Sequence, residues 1–199
     1  MTEEVNVCLF GLERVGKSTF ASIVAGGDFE EDYIPTPERK QVSFKRTVED
    51  VNFTGNIQDE PGASFKSTKT TASTYGQSGN IHIQMAAADS DGDIKFCDRY
   101  VKQPDYAAFL SDDYLFVLII TKKDLNGDCF GERPKEIADF AKGIVFTLDL
   151  HNKDEVVKCF DDILKAYGEK KNLFKEKKGG KAPKAAKAKG EKKGGCALL

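Results

Sequence analysis

The octapeptide GLERVGKS, at positions 11–18, restricts the possible fold more than any other part of the chain. It directly follows an apolar run at 5–10, which predicts a short buried strand, and it leads into a predicted helix at 18–25. In a GxxxxGKS loop the glycines let the backbone wrap around phosphate oxygens, so that N–H groups and the helix N-terminus point at them. The pattern therefore predicts a strand–loop–helix unit that binds phosphate.

Individual side chains of this loop have expected roles. Lys17 should reach the outer phosphates of a nucleotide, and the Ser18 hydroxyl should ligate Mg²⁺. The residues of this loop expected to lie at the phosphates are Gly11, Glu13, Arg14, Val15, Gly16, Lys17, Ser18 and Thr19. The alternative interpretation is a glycine-rich turn without a ligand, but a match at four fixed positions between a strand and a helix is rare by chance.

Strand and helix patterns alternate along most of the remaining chain. Strands are predicted at 41–48, 51–58, 81–88, 114–120 and 144–148, and helices at 93–110, 134–142 and 154–167. This alternation favours an α/β fold with a mostly parallel sheet that is covered by helices on both faces. Such sheets bind ligands at the carboxyl ends of their strands, so the loops after Phe10, Gln58, Ile120 and Leu148 are candidate site loops.

Two of these loops carry further motifs. The sequence DEPG has the form DxxG: the Asp59 carboxylate can hold the water shell of a metal ion, and Gly62 lets a backbone N–H approach a terminal phosphate. The sequence TKKDL at 121–125 places Asp124 to accept hydrogen bonds from guanine N1–H and its exocyclic amine, with Lys122 along the base. Taken alone, the first motif could be a plain turn and the second a solvated charged turn.

In this order the motifs resemble those of the Ras family of small GTPases over residues 5–167. The sequence FEEDYIPT at 29–36 resembles the first switch of the family, and RKQV at 39–42 resembles the start of its second strand. The resemblance implies a P-loop NTPase fold, a Ras-like G domain with six strands and five helices. It also implies a GTP/GDP switch in signal transduction, in which γ-phosphate contacts order two switch loops that bind effectors.

The same resemblance assigns site residues. It implies that Phe29 packs on guanine, that Tyr33 covers the phosphates and that Thr36 ligates Mg²⁺ and senses the γ-phosphate. The guanine set is then Phe29, Thr121, Lys122, Asp124, Leu125 and Leu150; the Mg²⁺ set is Ser18, Thr36 and, through water, Asp59; Gly62 completes the phosphate set. A guanine-nucleotide exchange factor is an implied partner, and the chain is expected to be a monomer.

Four positions depart from the family pattern. Glu13 replaces the usual Gly, and its side chain obstructs the path of an activating protein's arginine. Ala63 replaces the Gln that orients the attacking water. Thr121 replaces an Asn whose amide ties the base loop to the phosphate loop, and DLH at 149–151 matches the last base motif, Ser-Ala-Lys, poorly. We therefore expect no confident catalytic residue, very slow GTP hydrolysis, and weaker nucleotide binding or faster exchange.

The charges divide the chain into an acidic body and a basic tail. Residues 168–199 contain eleven Lys and three Glu, a net charge of +8. Because the whole chain has a net charge of −2, residues 1–167 carry −10. The acidic body does not suit nucleic acid, and the Lys-rich tail is expected to be a disordered hypervariable segment that seeks an anionic surface.

The chain ends in Cys196-Ala197-Leu198-Leu199, a CaaX box. Its terminal Leu favours geranylgeranylation of Cys196, and the family resemblance adds removal of the last three residues and methylation. One lipid and a basic stretch together should anchor the protein at the cytoplasmic face of a membrane, with the plasma membrane expected. The alternative for the tail is a nucleic-acid-binding or nuclear-targeting segment.

The cysteines and the N-terminus suit a reducing compartment. The five Cys residues are odd in number, dispersed and without CxxC spacing, which argues against a disulfide framework or zinc site. The N-terminus lacks the pattern of a signal peptide, and Thr2 is incompatible with N-myristoylation. His82 and His151 have no partner pattern for a metal or for nucleophilic catalysis.

Two other functions remain open at this point. The first is a pseudo-GTPase, an interaction module that holds nucleotide constitutively or not at all, and the departures at Glu13, Ala63 and Thr121 favour it. The second is an ATP-using phosphate-loop enzyme such as a kinase, which lacks support because no acceptor or lid motif is visible and Asp124 suits guanine.

Overall fold

A computed structural model of the protein describes residues 1–66, 79–103, 114–126 and 130–174. Two predictions lie partly or wholly outside these residues: the helix predicted at 93–110, from position 104 onward, and the tail beyond Phe174 with its CaaX box at Cys196.

The described residues form six strands, five α-helices and one 3₁₀ helix. The strands are β1 (Thr2–Phe10), β2 (Lys40–Val48), β3 (Val51–Asp59), β4 (Ile81–Ala87), β5 (Leu115–Thr121) and β6 (Ile144–Thr147). The α-helices are α1 (Lys17–Val24), α2 (Asp91–Val101), α3 (Lys123–Asn126), α4 (Arg133–Phe140) and α5 (Lys153–Lys170), and the 3₁₀ helix spans Gly62–Lys66. None of these helices combines the length and apolar character needed to cross a bilayer.

The six strands form one mixed sheet in the order β2-β3-β1-β4-β5-β6. Only β2 and β3 run antiparallel, as a hairpin in which Lys40 lies opposite Asp59 and Val48 opposite Val51. The other neighbouring strands are parallel, with β1 between β3 and β4. The predicted α/β class and the mostly parallel six-stranded sheet are therefore confirmed.

Alternate side chains of the sheet enter two apolar cores, one on each face. Val5, Val7 and Leu9 of β1 pack in a core with residues of α1 and α5, whereas Cys8 and Phe10 pack with residues of α2 and α4. All seven residues of β4 and of β5 are buried, as expected for parallel strands covered on both sides. Helices thus cover both faces of the sheet, as predicted.

Some element bounds differ from the sequence prediction for physical reasons. The helix that covers the first part of the predicted 93–110 starts at Asp91 and ends at Val101, because Pro104 disfavours helical turns directly before it. The last helix extends beyond 167 to Lys170, and Leu173 and Phe174 pack against the same core as α5. The two short helices, α3 and the 3₁₀ helix, were missed because neither has enough residues for a helical period to appear.

Candidate functional site

One cleft lies at the carboxyl ends of β1, β3, β5 and β6, with a volume of about 520 Å³. The phosphate loop, the segment 28–36 and Gly62 line one part of it, and residues 121–125 and 149–151 line the other. Of the predicted phosphate, base and metal residues, only Gly11 and Asp59 do not line it. The structure therefore brings together the side chains that the motifs singled out.

The phosphate loop turns sharply into α1. Gly16 has φ +90° and immediately precedes α1, and a Cβ on it would lie 2.3 Å from Leu150 Cδ1. Gly16 thus meets two requirements at once, a left-handed backbone and close packing of the loop at 149–151. Because Gly16 has no side chain, it cannot cap α1, and the N–H groups at the N-terminus of this helix face the cleft.

The Lys17 side chain is buried against the backbone of the phosphate loop. Its Nζ donates hydrogen bonds to the carbonyl oxygens of Gly11 (2.9 Å) and Leu12 (2.8 Å), and the residue is only 6% exposed. Burial lowers the pKa of Lys17 to about 8, although the carboxylates of Asp59 and Glu13, among others, oppose this shift. An anionic ligand in the cleft would favour the charged ammonium and offset the cost of its burial.

Three oxygen-bearing side chains converge beside Lys17. Ser18 Oγ donates to Asp59 Oδ2 at 2.6 Å and lies 2.9 Å from Thr36 Oγ1. Asp59 is 1% exposed, and its Oδ1 has no hydrogen-bond partner among the described residues. Burial raises the pKa of Asp59, and the Ser18 hydroxyl opposes that shift. Hard oxygen donors with an unsatisfied buried carboxylate oxygen fit a Mg²⁺ ion.

Gly62 packs directly on the phosphate loop. A Cβ on Gly62 would lie 2.5 Å from Glu13 N and 2.7 Å from Glu13 Cα. Only glycine lets the DxxG segment approach the loop this closely, a packing role beside the phosphate contact predicted from the motif. Ala63 follows it in the 3₁₀ helix and is exposed, so this position presents only a methyl group.

Thr121 joins the base loop (residues 121–125) to the phosphate loop through its hydroxyl, a bond that sequence reasoning did not anticipate. Its buried Oγ1 donates to the carbonyl oxygen of Val15 at 2.9 Å, and the Ala86 carbonyl lies 3.4 Å away. A hydroxyl on the fully buried end of β5 makes the connection with one donor instead of an amide.

The other predicted base residues lie at the rim of the cleft. Lys122 has φ +56°, and its Nζ lies 3.0 Å and 3.2 Å from the two carboxylate oxygens of Asp89. Asp124 and Leu125 are exposed in α3, and Leu125 is 61% exposed. Asp124 therefore presents a solvated carboxylate at the entrance, where a hydrogen-bonding edge of a base could reach it.

His151 belongs to this site, although sequence reasoning gave it no role. Its ring lies on that of Phe29, with centroids 4.1 Å apart and an interplanar angle of 36°. Its backbone N and its Nδ1 lie 2.9 Å and 2.8 Å from Asp149 Oδ1. The sequence did contain one indication of this role, since His151 aligns with the last residue of the Ser-Ala-Lys base motif.

Arg14 and Tyr33 lie across the phosphate end of the cleft. The Arg14 guanidinium carbon is 4.8 Å from the centroid of the Tyr33 ring, which is a cation–π distance. This contact connects the phosphate loop to the segment 28–36 above it. That Tyr33 covers a bound phosphate stays a prediction.

Other reactive residues lie away from the cleft. His82 is a buried strand residue whose ring contacts Phe10 and Tyr114 and whose Nε2 is 3.2 Å from the Gly79 carbonyl oxygen. Cys97 and Cys159 are buried free thiols, and burial raises the pKa of each. Protonated thiols in these positions do not suit catalysis or metal binding.

No protein-family model matches this chain, and no curated protein sequence matches it. Function must therefore be inferred from the cleft itself. Its inner part combines an ammonium, uncapped helix N–H groups and a cluster of hard oxygens, and its outer part combines aromatic rings with carboxylates. Such a combination suits an anionic group with a divalent cation at the inner end and a planar ring at the outer end.

Proposed function

We propose that this chain is a small GTP-binding protein with a Ras-like G domain, which works as a membrane-anchored GTP/GDP switch with weak hydrolysis. The observation that carries the proposal is the convergence of the phosphate loop, Thr36, the Asp59–Gly62 segment and the base loop on one cleft. These elements are far apart in the chain, and each has the chemistry that one part of a guanine nucleotide requires.

The inner residues would hold the phosphates and the metal. Lys17 neutralises negative charge at the outer phosphates, while Ser18, Thr36 and, through water, Asp59 hold Mg²⁺. A bound Mg²⁺ would supply further positive charge against the phosphate oxygens. Tyr33 and Arg14 exclude water from above, because their side chains lie across this end of the cleft.

The outer residues would select the base. The Asp124 carboxylate can accept two hydrogen bonds from guanine but faces no matching donor pair on adenine. Phe29 and His151 provide an aromatic surface, and Thr121 holds the base loop at a fixed distance from the phosphate loop. Guanine over adenine is the resulting preference.

Binding is tested by titrating the purified, nucleotide-stripped protein with fluorescent GDP and GTP, in Mg²⁺ and in EDTA. We expect Mg²⁺-dependent affinity for both, with little affinity for the ADP and ATP analogues. Asp124→Ala should remove the guanine preference while retaining phosphate binding, and Lys17→Ala should weaken all of these ligands. Absence of Mg²⁺-dependent binding at high micromolar protein would sink the proposal.

A specific observation favours a second candidate, a module that stays loaded with GTP. Ala63 has no polar group for a water molecule, and Glu13 adds a carboxylate where the Gly62 segment meets the phosphate loop. Identification of the co-purified nucleotide separates the two candidates. Bound GDP supports a switch that turns over, and bound GTP supports a constitutively loaded module. The absence of any bound nucleotide supports a nucleotide-free scaffold.

Membrane attachment through Cys196 is part of the same proposal. A geranylgeranyl group together with Lys192 and Lys193 would hold the protein on an anionic leaflet, with the cytoplasmic face of the plasma membrane expected. There the protein would meet its effectors and its exchange factor. Cys196→Ser should release a fluorescent fusion to the cytosol, whereas an unchanged distribution would favour a nucleic-acid or nuclear role for the tail.

A further inference from the structure

Two segments that carry predicted ligand residues leave the sheet side by side. β2 begins at Lys40, which lies opposite Asp59, the last residue of β3. Arg39 and Glu60 are therefore the next residues outward on the two antiparallel strands. Thr36 lies three residues before Arg39, so both segments start their course into the cleft at this pair.

Arg39 and Glu60 form an ion pair that closes the hairpin at this end. Arg39 Nε lies 2.5 Å from Glu60 Oε1, with side-chain exposures of 44% and 2%, respectively. An antiparallel pair at this position is within the normal reach of cross-strand side-chain contacts. The contact thus continues the β2–β3 ladder by one step, through side chains rather than backbone.

The burial of Glu60 makes this pair different from an ordinary surface ion pair. The Glu60 side chain is buried next to the equally buried Asp59, and the Arg39 guanidinium is its cationic partner. Removing one partner of such a pair leaves an uncompensated buried charge, which costs far more than the loss of an exposed pair. Arg39 is accordingly held against Glu60, and the segment that precedes it is held as well.

We infer that Arg39 and Glu60 are positioning residues, which hold the Thr36 segment against the Asp59–Gly62 segment so that the metal-binding oxygens converge. The inference rests on the proposed function and deepens it. Ser18 Oγ donates to Asp59 Oδ2, and Thr36 Oγ1 comes within 2.9 Å of the same Ser18 oxygen, so Thr36 joins this pair only while its segment stays beside the Asp59–Gly62 segment. Neither residue touches the nucleotide in this role; both act through the ligands.

The test measures the release rate of fluorescent GDP across a range of free Mg²⁺ concentrations. In Arg39→Ala the Mg²⁺ concentration that slows release by half should rise about tenfold, the scale typical of lost outer-shell support, while the rate in EDTA changes less than about twofold. Glu60→Gln should shift it in the same direction with less risk to folding, because it removes the buried charge and retains the shape. Arg39→Lys should recover part of the effect.

Arg46→Ala is the matched control. Arg46 lies on the same strand and makes a two-point ion pair with Asp161 (2.8 Å and 2.6 Å), well away from the cleft. Its loss should lower thermal stability without moving the Mg²⁺ dependence. An unchanged Mg²⁺ dependence in both Arg39→Ala and Glu60→Gln, with nucleotide still bound, overturns the inference alone. Failure of the unmodified protein to bind nucleotide overturns the proposed function, and the inference with it.

Discussion

Replacing Thr121 by Val removes one hydroxyl and retains nearly the same volume. Thr121 is fully buried, so the substituted methyl occupies the space of Oγ1 while the Val15 carbonyl loses its donor at 2.9 Å. A buried polar group that loses its partner costs about 1–3 kcal/mol. We therefore expect the free energy of unfolding to fall by about 2 kcal/mol, which lowers the Tm of a domain of this size by roughly 4–8 °C.

The measurement is urea and thermal unfolding of the nucleotide-free protein, followed by the release rate of fluorescent GDP. Thr47→Val is the control, because Thr47 donates a hydrogen bond of 2.8 Å to Asn52 on the exposed side of the β2–β3 hairpin. We expect a change within about 0.5 kcal/mol there, as is usual for surface positions. Equal losses in the two variants, or faster GDP release only in Thr47→Val, would refute the tie between the two loops.

Three further predictions concern the cleft. The Gly62→Ala variant should bind guanine nucleotide at least about tenfold more weakly, because the new Cβ meets rigid backbone of the phosphate loop. Gly92→Ala is the control: the nearest atom to its new Cβ lies at 3.7 Å, so this variant should bind normally in the same titration. In EDTA, the free energy of unfolding of the unmodified protein should rise by roughly 3 kcal/mol relative to Lys17→Met between pH 8 and 10.5. Over this range Lys17 is deprotonated in the folded state, where its pKa is about 8, but stays protonated in the unfolded chain. Parallel pH profiles of the two proteins in urea unfolding would contradict this. The double change Glu13→Gly with Ala63→Gln should raise single-turnover GTP hydrolysis about tenfold or more, and an unchanged phosphate-release rate would show that these two positions do not limit it.

The sequence predicted the parts of the site in which chemistry and spacing are local. Lys17 and Ser18 were identified because the loop that holds them is contiguous and lies between a strand and a helix. The carboxyl ends of parallel strands then brought Asp59 and the 121–125 loop to the same edge, as the general rule for such sheets requires. The apolar runs of β4 and β5 were equally clear, since both strands are buried along their whole length.

Contacts between distant side chains could not be predicted in this way. The Thr121 hydroxyl meets a carbonyl 106 residues earlier in the chain, and the Phe29–His151 contact likewise joins distant segments. No periodicity or motif records such distances, because they depend on how loops from different strands pack. The Thr121 bond was not anticipated for a related reason, since comparing residue types at one position ignores a second way to make the same bond.

The length of the β2–β3 hairpin makes the far side of the molecule useful for labelling. Val48 and Val51, which flank its turn at Glu49 and Asp50, lie eight residue steps from the cleft end, roughly 27 Å at about 3.4 Å per residue. Asp50 is exposed, whereas neighbouring Glu49 is paired with Lys165 of α5. A dye or affinity handle attached at Asp50 would therefore stay clear of the nucleotide, the metal and the segment 28–36, so that ligand exchange could be followed on an immobilised or tagged protein.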